Sequence, residues 1–296
     1  MPITGTGIST NRSNIQLPNE VANEIIQKTQ EQSVIMRLAR QINLPGRGVQ
    51  IPVITSDPVA DWVTETGKKP VSNPELDKKI MQAHKLAVIV PFSNEFRRDA
   101  AALYDALVER LPLVLAKKFD QTVFFGNGSA TLANFDDFTQ VNAESLDTSV
   151  YLGLVAGDTA IAEAGGVTNG FVFSPQGKGM LLGALDGQNR PIFINSVSDE
   201  AIPRVLGAPT YISAAAYGAG DSTNPDYIGY AGDWSHAMYG TVEGVQIDYS
   251  SDATLDVGSG QTVNLFQQNM FAVRAEIEVG FVAETDYFCA FTRAHQ

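Results

Sequence analysis

Apolar and polar residues alternate most cleanly near the end of the chain, where Phe271, Val273, Ala275, Ile277 and Val279 are separated by Arg274, Glu276 and Glu278. A period of two puts the apolar set on one face, so the segment predicts a half-buried β-strand. Residues 93–125 show the other period. Phe96, Ala100, Leu103, Leu107, Leu111, Val114 and Leu115 recur at three- and four-residue steps, the stripe of an amphipathic helix. Ser93 is the expected N-cap, Glu95 and Asp99 suit the positive end of the dipole, and Gly126-Asn127-Gly128 stops the helix. Pro112 should kink or divide it, because proline removes a backbone donor and crowds the preceding turn. About 33 residues at 1.5 Å each would reach nearly 50 Å, long for a globular helix.

The first part of the chain reads as an arm and a finger. Residues 1–17 are polar, and Pro18 opens a helix over 18–31 whose continuation is ended by Pro45-Gly46. RGVQIPVI reads as a strand, the polar and proline-rich SDPVADWVTETGKKPVSNPE follows, and KKIMQAHKLAVIVPF reads as the return strand. Two strands joined by a long polar segment make a protruding hairpin that is marginal alone and gains stability by lying on something else. Trp62, its largest apolar side chain, is either a local packing anchor or a contact at a subunit interface. From residue 146 helix and strand signals alternate. SVYLGLVAGDTAIAEAG and SPQGKGMLLGALD read as helices, and Gly170–Phe173, PIFI, PRVLGAPTYIS, YIGYAGDWSHAMYG and VQIDYS as short strands, an α/β domain over roughly 130–258.

Composition narrows the functions. The 296 residues are 44% apolar and 18% charged, enough for a sizeable core, and no run of 18 apolar residues exists to span a bilayer. The start of the chain lacks the basic and apolar pattern of a signal peptide. One cysteine, Cys289, excludes an internal disulfide or multi-cysteine zinc site. The net charge of −13 argues against a nucleic-acid reader, whose affinity rests on neutralising phosphates. Residues 1–120 hold 15 basic and 13 acidic side chains, residues 121–296 only 5 against 20. Such asymmetry lets copies of the chain attract one another, or simply keeps the acidic part soluble.

No catalytic constellation emerges. His84, His236 and His295 have no neighbour at metal-ligand spacing, so no metal or cofactor is expected. Cys289 lies in an alternating strand context that reads as a small buried apolar residue. Gly177-Lys178-Gly179 follows a strand and opens a helix but lacks phosphate-loop spacing. Asp221, Asn224 and Asp226 read as a turn, and Asp136-Asp137 as a solvated or capping pair.

Several segments in order resemble the major capsid proteins of tailed bacteriophages, of the Hong Kong 97 type. The finger carries Ala60, Trp62, Val63, Glu65, Pro70, Ser72 and Pro74, and its return ends in Pro91 and Ser93 before the long helix, which closes on Phe124, Gly126 and Gly128. FSPQGKGMLLGALDGQNRPIF is similar to that family's strand, helix and Asp-Gly turn, and Gly232, Asp233, Trp234 and Ser235 to its strand-pair motif. NLFQQNMFAVRAEIEVGFVA, with Arg274, is similar to its closing strand. The likeness spans about residues 15–292.

The resemblance implies an α+β Hong Kong 97-type capsid fold. It has an N-terminal arm (1–45), an extended β-hairpin loop (46–92), a peripheral domain with the spine helix (93–129 and 259–296) and an axial domain (130–258). It implies a structural shell subunit, not an enzyme, that assembles with itself into hexamers and pentamers around double-stranded DNA without sequence-specific binding. The place would be the virion, assembled in the host cytoplasm, with no membrane. Trp62, Glu65, Lys68, Lys69, Asp233, Trp234, Asn269 and Arg274 become the candidate intersubunit contacts. Some relatives crosslink a finger lysine to a neighbour's asparagine with a glutamate as base; Lys68, Lys69, Asn269 and Glu276 or Glu278 occupy the corresponding segments, with ordinary salt bridges as the simpler role. Met1 leads straight to the arm where many relatives carry a scaffolding segment, so scaffolding is expected to be separate or dispensable, unless the chain is a processed form; separate scaffolding, portal or decoration proteins are the candidate further partners. The alternatives are an encapsulin-like compartment, another virion part, or an α/β enzyme.

Overall fold

A computed structural model of the chain describes residues 33–46, 48–56, 60–65, 68–69, 71, 75–93, 100–128, 132–186, 188–193, 204–242, 246–258 and 261–295. The helix expected over 18–31 and the cap expected at the entry to the long helix lie outside them. The first described element is α1 (Val34–Leu38), whose N-cap is Ser33. It ends at Leu38, well before Pro45, because the chain turns extended at Ala39 and β1 (Arg40–Asn43) joins a sheet.

The finger is β2 (Val49–Ser56) paired antiparallel with β3 (Glu75–Met81), a two-stranded sheet by itself. The expected single return strand is two. At Gln82-Ala83 the chain leaves β2 and continues as β4 (His84–Ser93), which pairs with β14 (Met270–Ala283) along ten residues. An apolar run shows a strand but not a change of partner, and the change falls inside one such run.

α2 (Ala100–Phe125) runs through Pro112 as one helix, so the proline does not divide it. Gly126 and Gly128, at φ of +69° and +63°, end it as expected, in a conformation that costs other residues about 1 kcal/mol or more. Leu111 and Leu115 are buried against Ala275 and Ile277 of β14, flanked by Leu86, Val88 and Val90 of β4. Val114, expected in the stripe, is half exposed, as is Leu113, since the buried face is narrower than the apolar pattern.

β14 organises one sheet. β4 flanks it on one side, while β10 (Ala237–Thr241) and β11 (Gln246–Ser250) follow one another along the other, and β1 adds parallel to β10. β12 (Thr254–Gly258) and β13 (Gln261–Asn264) form a separate hairpin. The second sheet has six strands, in spatial order β5 (Asn142–Ser145), β15 (Phe288–Arg293), β9 (Asp226–Gly232), β6 (Gly170–Phe173), β8 (Ala208–Ile212) and β7 (Arg204–Val205). Helices α3 (Val150–Glu163), capped by Ser149, and α4 (Pro175–Gly183), capped by Ser174, match the sequence reading and contribute to one face of this sheet. The PIFI segment forms no strand among its described residues. Pro191 makes an isolated bridge to Leu185 in a turn organised by the Asp186 carboxylate, which accepts from the Gln188 and Arg190 amides.

Besides the passage through α2, the chain crosses between the sheets at Asp233–His236 and at Glu284–Tyr287. Where these crossings meet the end of α2 lies the aromatic core: Phe124 stacks on Tyr230 and Phe138 on Phe288, each at 4.6 Å, with Trp234 and Phe281 beside them. Each such ring removed from water contributes roughly 2–3 kcal/mol, so this cluster holds the two sheets as one body.

Candidate functional site

The described residues of the finger tip are all exposed. Trp62 is fully exposed at 103%, Val71 at 87%, and Glu65, Lys68 and Lys69 stand in water beside them. Of the two roles for Trp62, local packing is therefore absent. Among the described residues of the tip none is buried, and leaving a whole indole in water forgoes several kcal/mol that a partner surface would return.

Asp233 and Trp234, expected at an interface, are placed inside the chain. Trp234 is 2% exposed, packs edge-on against Phe288 at 5.2 Å and donates its indole N–H to the Gly170 carbonyl at 3.1 Å. Asp233 accepts from the Val167 amide, the Asn169 side-chain amide and the Ser235 backbone and hydroxyl. Burial pushes its carboxyl up, but the bonds from Ser235 and Val167 outweigh burial and leave it below the ordinary range. The Gly-Asp-Trp-Ser motif is thus the turn that carries the chain from β9 to β10. A motif read without a partner list looks the same in either role.

Arg274 lies on the face of β14 turned away from α2. It bonds Asp248 on β11 at 2.5 Å and lies 3.9 Å from Glu276. Lys85 on β4 reaches Glu276 and Glu278, both at 3.0 Å, and those carboxylates raise its pKa. Ile89, Asp248, Leu255, Ala272 and Arg274 line a shallow cavity of about 450 Å³ on this face. Asn269 sits in the exposed turn before β14 at φ +52°. The structure therefore brings Arg274, Asp248, Glu276 and Glu278 together, with Asn269 at the end of the same strand and the finger residues on a separate element.

The remaining chemistry is structural. His84 Nε2 lies 2.8 Å from the Ala133 carbonyl oxygen, His236 stacks on Tyr287 at 3.9 Å beside Glu284, and His295 bonds Asp226 at 2.7 Å. Asp226 also accepts from the Gly220 amide, Arg293 and the Tyr217 hydroxyl, and His295 foremost holds its carboxyl well below the usual range. Asp221 caps its turn through Thr223 and Asn224 amides that lower it to about 2. In the glycine segment the Gly177 amide donates to Ser174 Oγ, so the helix start is already capped. Among the described residues no three His, Cys, Asp or Glu are grouped to hold a metal, and no helix is long and apolar enough to cross a membrane. Cys289 is buried as read, and burial pushes its thiol to about 12. Native protein at pH 8 is expected to resist a thiol-specific aromatic disulfide that labels the unfolded chain fully; complete labelling of native protein would contradict that burial.

Local sequence pattern does not single out Lys79, whereas it can locate Asp120. Asp120 is 1% exposed and accepts from Ser33 Oγ at 2.5 Å and the Val34 amide at 3.0 Å. Its signal was available, since it falls between Ala116 and Phe124 on the buried face of α2.

Comparison with known proteins gives one answer. The sequence profile of the Phage capsid family matches residues 14–290. A protein of Mycobacterium phage L5 named "Probable major capsid protein gp17" is 26% identical over 283 residues, covering 90% of this chain and 85% of that one. A solved structure from Gordonia phage Cozz superposes with a TM-score of 0.72 at 22% identity, over 90% of this chain and 87% of that one. A capsid from an empty GTA particle, reconstructed with five-fold symmetry, gives 0.63 at 16% identity over 89% and 90%.

Proposed function

We propose, from the premise that the chain belongs to the phage capsid family, that it builds its shell by laying each finger on a neighbouring copy, so that hexamers and pentamers close an icosahedral particle around double-stranded DNA. That the protein is structural, a major capsid protein and not an enzyme, follows from the family and its relatives. It acts in the virion. The compartment reading is not favoured, since the family and the curated relatives are those of phage capsids.

The finer assignment follows the Hong Kong 97 plan. Residues 1–45 form the arm and 46–92 the extended loop. Residues 93–129 and 259–296 form the peripheral domain around α2 and β14, and 130–258 the axial domain whose copies meet at five- and six-fold axes. The sheets interlock across that division, with β15 inserted beside β9 and with β10 and β11 beside β14. The observation that carries the proposal is the exposed Trp62 on a two-stranded finger with two lysines at its tip. Opposite charge is available on the acidic second part of any neighbour. Many modest contacts per subunit then sum to a stable shell. A net charge of −13 suits a container that does not grip its DNA. Assembly is expected in the host cytoplasm.

Electron microscopy of the purified chain tests this. Closed shells or rings of five and six are expected, alone or with a phage scaffolding protein. A species that stays monomeric under both conditions would overturn it.

A further inference from the structure

The finger leaves the body at a joint built from three distant parts of the chain. On β3, Lys79 and Met81 are two residues apart and therefore point to the same side, toward the body, while Ile80 between them is exposed. Met81 is fully buried, in a cluster with Leu44 and Val282. Its seat is made flat by two facing glycines, Gly240 of β10 and Gly280 of β14, which are register partners. A Cβ on Gly280 would lie 2.5 Å from the Gln82 carbonyl oxygen and 2.9 Å from Met81 Cγ, and one on Gly240 would lie 3.0 Å from Met81 Sδ. A side chain at either position would lift the finger's root off the sheet.

Lys79 closes the joint. Its ammonium donates to Asp136 Oδ2 at 3.0 Å and to the Ala283 carbonyl at 2.5 Å, and the same Asp136 oxygen accepts from the Ala283 amide at 3.0 Å. One carboxylate thus ties the finger strand to the segment after α2 and to the last residue of β14. Both side chains are about one-third exposed, so water screens the pair only in part. Charge-assisted bonds of this kind are directional as well as attractive. Met81 in its glycine seat is a pivot, and the two bonds of Lys79 remove the rotation that a pivot alone would allow.

We propose that Lys79 is a positioning residue whose tie to Asp136 and Ala283 fixes the angle of the finger, and through it the curvature at which copies of the chain join. The inference rests on the reading that the finger lies on a neighbour: a small angular error at the root becomes a large displacement at a tip many residues away, so a loose joint admits several inter-subunit angles and hence several shell sizes.

The test is Lys79→Met, which keeps the aliphatic stem and removes the charge, beside Lys79→Arg, which can restore both bonds. Two readouts are needed, amide exchange over residues 75–81 in the unassembled subunit and the distribution of shell diameters by electron microscopy. Lys79→Met is expected to keep the subunit's far-UV spectrum, to exchange in β3 about tenfold faster, the scale of one lost charge-assisted bond, and to give shells of mixed or aberrant diameter. Lys79→Arg is expected to return both readouts to the native values. Native exchange and native diameters in Lys79→Met would overturn the proposal. So would faster exchange with native diameters, because the tie would then merely stabilise. Should Lys79→Met fail to fold, Asp136→Asn keeps an oxygen for the Ala283 amide while removing the charge, and carries the same expectation. If the native chain forms no shells at all, the assembly reading fails, whereas the exchange readout still decides whether Lys79 holds the joint.

Discussion

Replacing Trp62 by alanine is expected to leave the subunit as stable as before and to abolish shell closure. The two halves of that result have one cause. Trp62 is fully exposed, so its removal takes no packing from the subunit, and the melting temperature should move by no more than about 1 °C. At an interface the same ring is the kind of anchor whose truncation costs about 2–4 kcal/mol, a factor of roughly 30 to 1,000 in each contact. A shell repeats that contact in every subunit, so a modest loss per finger becomes an all-or-none loss of closure. Size-exclusion chromatography with electron microscopy measures it. Native yields of closed shells from the variant would show that the finger tip is not an anchor. The lysines beside it should behave differently: losing Lys68 and Lys69 is expected to slow assembly and to alter its salt dependence more than its end point, since exposed charges steer more than they hold.

The second large effect concerns Asp120. Burial is the chief cause that pushes its carboxyl from 3.8 to about 7, against the lowering effect of bonds from Ser33 Oγ and the Val34 and Ile35 amides. No charged side chain is among these causes. Arg37, on the same short helix, lies instead over the Tyr211 ring at 5.0 Å. With the folded-state pKa above the unfolded one, the native chain binds the proton more tightly between pH 4 and 7. Its contribution to stability is therefore full below about pH 4, falls as pH rises toward 7, and levels off above that. The loss is on the order of 4 kcal/mol. Because Asp120 holds the root of the N-terminal arm to α2, the change should appear first at residues 33–39. Asp120→Asn, which cannot ionise, is expected to flatten the dependence of stability on pH between 4 and 8. Asp120→Ala leaves a buried hydroxyl and two amides without an acceptor and is expected to cost about 2–4 kcal/mol at pH 4, a difference that shrinks toward pH 8 as the native chain loses the Asp120 contribution while the variant does not titrate. Denaturant unfolding of the unassembled subunit across that range decides it. A native dependence that rises from pH 4 to 7, or one that Asp120→Asn leaves unchanged, would contradict the assignment.

Elements set by local periodicity were legible. The strand over 270–283, the helices over 150–163 and 175–183 and the glycine stop at 126–128 all follow from spacing and capping within a few residues. What was not legible depended on distant partners. KKIMQAHKLAVIVPF is one apolar pattern, yet its first half pairs with β2 and its second with β14. YIGYAGDWSHAMYG looks like one strand pair, yet the chain changes sheet at Asp233, and so Trp234 lies in the core rather than on a surface. α1 stops at Leu38 because β1 finds β10, some 200 residues away. At the candidate site the finger's exposure could be read from its polar, proline-rich composition. The joint beneath it could not, because Asp136 lies 57 positions beyond Lys79 and nothing in local sequence marks a lysine that bonds so far ahead.

The central claim is that the finger completes its packing on another copy of the chain. The most direct test is a cryo-electron microscopy map of assembled particles, at a resolution that shows side chains, read at Trp62. The expected result is an indole buried against a neighbouring subunit, with Lys68 and Lys69 facing acidic side chains of that neighbour. Closed shells in which Trp62 remains in solvent, or in which each finger folds back on its own subunit, would contradict it.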